Sequence, residues 1–117
     1  MKDLGTTVTF FRRSDGKLAG YRAVGHSGYA ESGSDIVCAA VSALTQSTLE
    51  GLKDVLKAPV MFEMDERTAL IEARLTPEAT EDQFERAQLL LETLRRGLQA
   101  IERSYPRNVR IFYEERR

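Results

Sequence analysis

The chain of 117 residues is short of several residue types that decide what a protein can be. It holds one cysteine, so no internal disulfide can form. It also holds one histidine, and the two together supply only half of the four ligands a structural zinc site needs. No HxxxH pattern and no clustered carboxylates converge on that histidine, so neither a metal nor a cofactor is expected. There are three prolines and no repeat or biased tract, so nothing resembles a linker. The formal net charge is −1 and the basic residues are scattered. That is a poor match to a phosphate backbone, and direct nucleic-acid binding is not expected. Long hydrophobic runs are missing too. The opening MKDLGTTVTFF carries Asp3 and no continuous apolar stretch, which reads as neither a signal peptide nor a membrane span. The expectation is a cytoplasmic protein without a membrane partner.

What is present is an ordinary globular composition, 42% hydrophobic and 30% charged. A chain of this length buries roughly two thirds of its unfolded surface in one core, so residues 1–117 are expected to form a single domain. TTVTFFR (6–12) and LAGYRAVGH (18–26) are rich in β-branched and aromatic residues and flank the turn-forming SDG, predicting a hairpin. Gly25, Gly28 and Gly33 then punctuate about ten residues of expected loop, long enough to suspect function. From Asp35 the spacing changes. Val37, Val41, Leu44, Thr48, Leu52 and Val55 recur at three and four residues, predicting a largely buried helix with Ser34 or Asp35 as its N-cap.

VMFEM (60–64) and TALIEARL (68–75), on either side of DER, predict a second hairpin. Thr76 and Pro77 are placed to start a second helix, and Thr80 with Gln83 offers an alternative capping box. Phe84, Ala87, Leu91, Leu94, Leu98, Ile101 and Tyr105 form its apolar stripe. Pro106 stops it, and NVRIFYEE (108–115) alternates like a last strand. The expected fold is α+β, order ββαββαβ, a five-stranded mixed or antiparallel sheet with two helices on its apolar face.

His26 and Cys38 have eleven residues between them, across the glycine-punctuated segment. If Asp35 caps the helix, Cys38 is its third residue, where free backbone N–H groups and the helix dipole favour an anion. A neighbouring imidazolium would add to that and lower the thiol pKa from its usual value of about 8.5. The glycines let the loop fold back, so a nucleophile and base pair is geometrically open. Bland readings stay open beside it. Free cysteine is among the most buried residue types, a lone histidine at a strand end is commonly solvated, and Asp35 is explained as a cap. Ser42 lies one turn from Cys38 on the same face, where a small residue also serves close packing.

The stretch GHSGYAESGSDIVCAAVSALTQSTLEGL resembles the signature of the ribosomal-processing cysteine protease family, Prp. The resemblance rests on GH, an eleven-residue interval, and the cysteine within DIVCAAVSAL. It implies a catalytic dyad of His26 and Cys38, with Gly25, Asp35 and Ser42 as supporting candidates and Ser27, Gly28 and Gly33 in a substrate loop. It implies an endopeptidase that removes the N-terminal extension of a bacterial large-subunit ribosomal protein through an acyl-enzyme. It further implies a homodimer. The loop departs from the family pattern at Ser27, Ser32 and Ser34, which bears on substrate preference rather than on the dyad. The competing reading is a non-enzymatic ribosome-associated adaptor that binds a peptide along a sheet edge.

Overall fold

In a computed structural model the chain is described over residues 5–25 and 32–116, the side chains of 32–35 excepted. Two hairpins and a final strand build one sheet: β1 (Thr6–Arg12), β2 (Leu18–Val24), β3 (Val60–Asp65), β4 (Leu70–Leu75) and β5 (Val109–Glu115). The spatial order is β3-β4-β2-β1-β5. All pairs are antiparallel except β1 with β5, which run parallel. The sheet is therefore mixed, because the second helix carries the chain across before β5 is laid down.

Register assigns the two faces. Val8 opposes Ala23, Phe10 opposes Tyr21, Ala23 opposes Ile71 and Tyr21 opposes Ala73. These residues share a face, all are buried, and they form one core with Val37, Val41 and Leu49 of α1 (Ser32–Glu50), with Leu52 just beyond it and with α2 (Glu81–Ser104). From α2 come Ala87, Leu91, Leu94 and Leu98. Each large apolar side chain so buried contributes about 1.5–3 kcal/mol. Both helices thus cover the same face. Gly97 permits their close approach, since a methyl there would begin 3.3 Å from Leu44 Cδ1.

Local chemistry explains the element ends. Thr80 Oγ1 accepts from the Gln83 N–H at 3.0 Å and Gln83 Oε1 accepts from the Thr80 N–H at 2.9 Å, so the capping box starts α2. Thr76 and Pro77 lie before it in a turn, contrary to the first of the two sequence expectations. At the other end Tyr105 is the C-cap and is exposed, so the apolar stripe stops at the half-buried Ile101. The strand expected from residue 68 begins at Leu70, because Ala69 adopts φ 53° in the turn. The strand expected over 18–26 ends at Val24.

The first helix differs more. It begins at Ser32 rather than after Asp35, so Ser34, Asp35 and also Gly33 lie inside it. At its far end it passes into a π-helical turn, Gly51–Val55. The extra residue in that turn rotates Val55 away from the core, leaving it 81% exposed while Leu52 stays buried.

The uncovered face of the sheet is not simply wet. Phe11 is fully buried there, under the guanidinium groups of Arg22 and Arg116, whose Cζ atoms lie 5.7 and 4.1 Å from its ring centre. Glu72 pairs with Arg74 at 3.0 Å and with Arg22 at 3.9 Å on the same face. Among the described residues no helix is long and apolar enough to cross a membrane.

Candidate functional site around the thiol

The position of Cys38 follows from one buried contact between β2 and α1. The Tyr21 hydroxyl donates to the Thr45 carbonyl at 2.7 Å, and Thr45 Oγ1 donates to the Val41 carbonyl at 2.8 Å. Both side chains are fully buried, and burial pushes the Tyr21 phenol pKa up, so it stays a donor. From this anchor β2 runs four residues to Gly25, about 13 Å at strand rise. The helix runs back seven residues to Cys38, about 10 Å at helical rise. The two paths end together.

They meet at Gly25, which is buried at the end of β2. A side chain there would begin 3.1 Å from Thr6 Oγ1, 3.5 Å from Ala69 Cβ and 3.6 Å from Cys38 Sγ. Three elements and the turn before β4 therefore converge on the volume that glycine leaves empty. Thr6 is held from behind, its N–H donating to the Asn108 carbonyl at 2.7 Å just before β5. Ala69 keeps its left-handed backbone without being glycine, which costs about 1–2 kcal/mol, and its methyl borders the same space beside Gly25. Cys38 itself is half-buried, so the sulfur is neither sealed in the core nor on open surface.

One sequence expectation about the thiol changes. With α1 starting at Ser32, Cys38 is its seventh residue instead of its third. The dipole effect fades beyond the first turn, so the helix end gives an anion at Cys38 little stabilisation. Ser42, one turn on, is half-buried and lines a cleft of about 180 Å³ with Gln46, Met64, Asp65, Glu66, Ala69, Leu70 and Ile71. Gly25 lies against the thiol, and Ser42 is one turn along the helix from it. Asp35 is inside α1 with its side chain outside the described set, and Gly33 is helical. His26, Ser27 and Gly28 lie outside the described residues.

Sequence reading missed Thr6, Ala69, Gln46, Asp65 and Glu66. Thr6 is one of many threonines in a strand-like run, and no local pattern marks an alanine that will sit at positive φ. Asp65 and Glu66 read as plain turn formers. A larger cavity of about 390 Å³ lies at the opposite end of the sheet, lined by Phe11, Arg13, Arg74, Phe84 and Arg116 among others. Its arginines are each in ion pairs, and it is remote from the thiol.

Comparison with known proteins agrees with this geometry. The family model described as Cysteine protease Prp matches residues 6–110. The ribosomal processing cysteine protease Prp of Bacillus subtilis (strain 168) is 26% identical over 104 residues, covering 89% of this chain and 93% of its own length. The crystal structure of an essential ribosomal processing protease Prp from S. aureus in complex with a substrate peptide superposes with a TM-score of 0.80 at 27% identity. The overlap covers 93% of this chain and 99% of that one. The same S. aureus protein with a covalently linked product peptide gives 0.77 at 28% identity, over 93% and 99% of the two chains.

Proposed function

The chain belongs to the Prp family of cysteine proteases, and from that premise we propose that it removes the N-terminal extension of a bacterial large-subunit ribosomal protein, with Cys38 as nucleophile and His26 as its base. The observation that carries the assignment of Cys38 is its half-buried sulfur 3.6 Å from where a Gly25 side chain would begin. His26 is the next residue after Gly25 in the sequence, and successive Cα atoms are about 3.8 Å apart, which makes it the natural candidate for the base. A base in that role would supply the neighbouring activator that the helix end does not.

His26 takes the thiol proton, and Sγ attacks the scissile carbonyl carbon to form a tetrahedral adduct. Collapse expels the amine, which receives the proton from the imidazolium, and leaves a thioester on Cys38. Water, deprotonated by the same imidazole, then releases the carboxylate product. Backbone amides of the helix N-terminus or of the loop are the candidates for holding the oxyanion. Asp35, Ser42 and the segment around Ser27, Gly28 and Gly33 act in orientation and substrate closure. The S. aureus relative bound to a substrate peptide and to a covalently linked product peptide supports the acyl-enzyme route.

A homodimer is part of this reading, and its favoured surface is the uncovered sheet face, where Met61, Val24 and Phe112 are exposed. Incubating the protein with the host's precursor ribosomal protein and weighing the product by mass spectrometry tests the main claim. Site-specific loss of the extension is expected with the wild type and not with Cys38→Ala. An intact precursor in both reactions would remove the proposed substrate.

A further inference from the structure

The cleft beside Ser42 stands one turn along α1 from Cys38, and its Ala69 wall shares the Gly25 contact point with the sulfur. At about 180 Å³ it holds one side chain, well short of a drug-sized ligand. Its walls differ in kind. Met64, Leu70 and Ile71 supply apolar surface, with Met64 49% exposed, while Ser42 and Gln46 of α1 supply polar atoms. At its mouth are the carboxylates of Asp65 and Glu66, and neither makes an ion pair among the described residues. Asp65 Oδ1 accepts the Arg67 N–H at 2.9 Å, which orients that carboxylate and leaves its other oxygen free. Among the described residues the Arg67 guanidinium, the adjacent cation in sequence, pairs with neither.

An apolar trough ending in two unpaired carboxylates matches a long aliphatic stem ending in a cation. We propose that this cleft is a specificity subsite that takes a lysine or arginine side chain of the peptide substrate close to the scissile bond, with Asp65 and Glu66 as its charge partners. The proposal rests on the proteolytic reading above, and it adds residues to recognition rather than to bond cleavage. Ser42 acquires a role in it as part of the subsite floor. Arginine and lysine differ in donor geometry, and the two carboxylates offset along the turn favour a rotatable ammonium over a planar fork.

The test uses peptides spanning the processed junction of the precursor ribosomal protein, each with one position changed to lysine or to norleucine, an uncharged stem of similar length. Wild type, Asp65→Asn/Glu66→Gln and the charge-reversed Glu66→Lys are compared by kcat/KM, and the same peptides are titrated against Cys38→Ala to read binding without cleavage. At one position lysine is expected to exceed norleucine by about tenfold at low salt, and the ratio should shrink toward unity at high ionic strength. The double amide variant should lose the ratio, and Glu66→Lys should favour glutamate at that position, a gain that unfolding cannot imitate. Equal rates for lysine and norleucine at every position, or a preference that survives the amide variant, would overturn the subsite while leaving the protease intact. Peptides that stay uncut by wild type, yet bind Cys38→Ala with a lysine preference that the amide changes abolish, would keep the subsite and remove the proposed substrate.

Discussion

The two ends of the sheet, about 20 Å apart along a seven-residue strand, are held by opposite chemistry. At the β1–β2 turn the contacts are ionic and crowded. Arg13 reaches Asp15 at 2.6 Å and Glu81 at 3.5 Å and lies 3.7 Å over the Phe84 ring, and Lys17 pairs with Glu85. The Gln88 amide pairs with both backbone groups of Leu18, at 2.8 and 2.9 Å, as a neighbouring strand would. At the thiol end the contacts are small and mostly uncharged: a glycine, a threonine hydroxyl, an alanine methyl and a sulfur. The carboxylates there are left without cations among the described residues. One end ties α2 to the sheet, whereas the other leaves space and charge for something that is not part of the chain.

The sharpest way to test that contrast is to remove the sulfur or its base. Cys38→Ala and His26→Ala should each lower kcat/KM on the order of a thousandfold or more, with the double variant no worse than either single one, because a nucleophile and its base act as a unit. Normal turnover in either single variant would take that residue out of the mechanism. Filling the space comes next. Gly25→Ala puts a methyl 3.1 Å from Thr6 Oγ1 and 3.6 Å from Cys38 Sγ. Stability should fall by about 1–3 kcal/mol, and activity with it. Adding Thr6→Ala should recover part of both, and a lack of recovery would show that the tight contact is not the cause.

Ala69→Gly separates the two kinds of design at one residue. It relieves a left-handed backbone but raises the entropy of the unfolded chain, so denaturant melts should show a gain of up to about 1 kcal/mol. Proteolysis should nonetheless slow, since the methyl that borders the space between Gly25 and the thiol is gone. A variant both less stable and fully active would contradict this account. At the ionic end Arg13→Ala should cost about 1 kcal/mol, through lost stacking on Phe84 as much as lost charge, and leave kcat/KM unchanged.

The smallest effect is a pH dependence. The Arg13 guanidinium and the Lys17 N–H hold the Asp15 carboxyl down at about 2 from its usual 3.8. A carboxyl depressed by folding adds stability above its unfolded pKa and loses it as pH falls through its folded one. Asp15→Asn should therefore melt below wild type near neutrality, and the gap should close between pH 4 and 2. A gap constant across that range would mean the ion pair contributes nothing.

Much of this architecture was legible because the local signals are strong. The hairpins carry turn residues between alternating runs, and Thr80 with Gln83 spells a helix start that the structure uses. Cys38 stood out as the lone cysteine, and Gly25 as the residue before the lone histidine. What could not be read is what arises only in three dimensions. The parallel pairing of β5 with β1 needs the whole chain, and the burial of Phe11 on the open face needs two arginines from β2 and the C-terminal end to roof it. The π-helical turn breaks the spacing that put Val55 in the core. Ser34 and Asp35 satisfy every compositional rule for a cap and still lie within the helix, because the chain begins winding earlier at Ser32.

The parallel pairing also orders events in time. Thr6 stands beside the thiol, yet its N–H is held by Asn108 and its strand by β5, more than a hundred residues later in the chain. Elements made early can pair and collapse during synthesis, but this wall of the site is completed only when the last strand has emerged and crossed to β1. A nascent chain halted before Val109 should show its thiol alkylated at the rate of an open peptide, and the release of β5 should raise that rate as the activated site forms. The site would then wait for β5 to be translated before it could work.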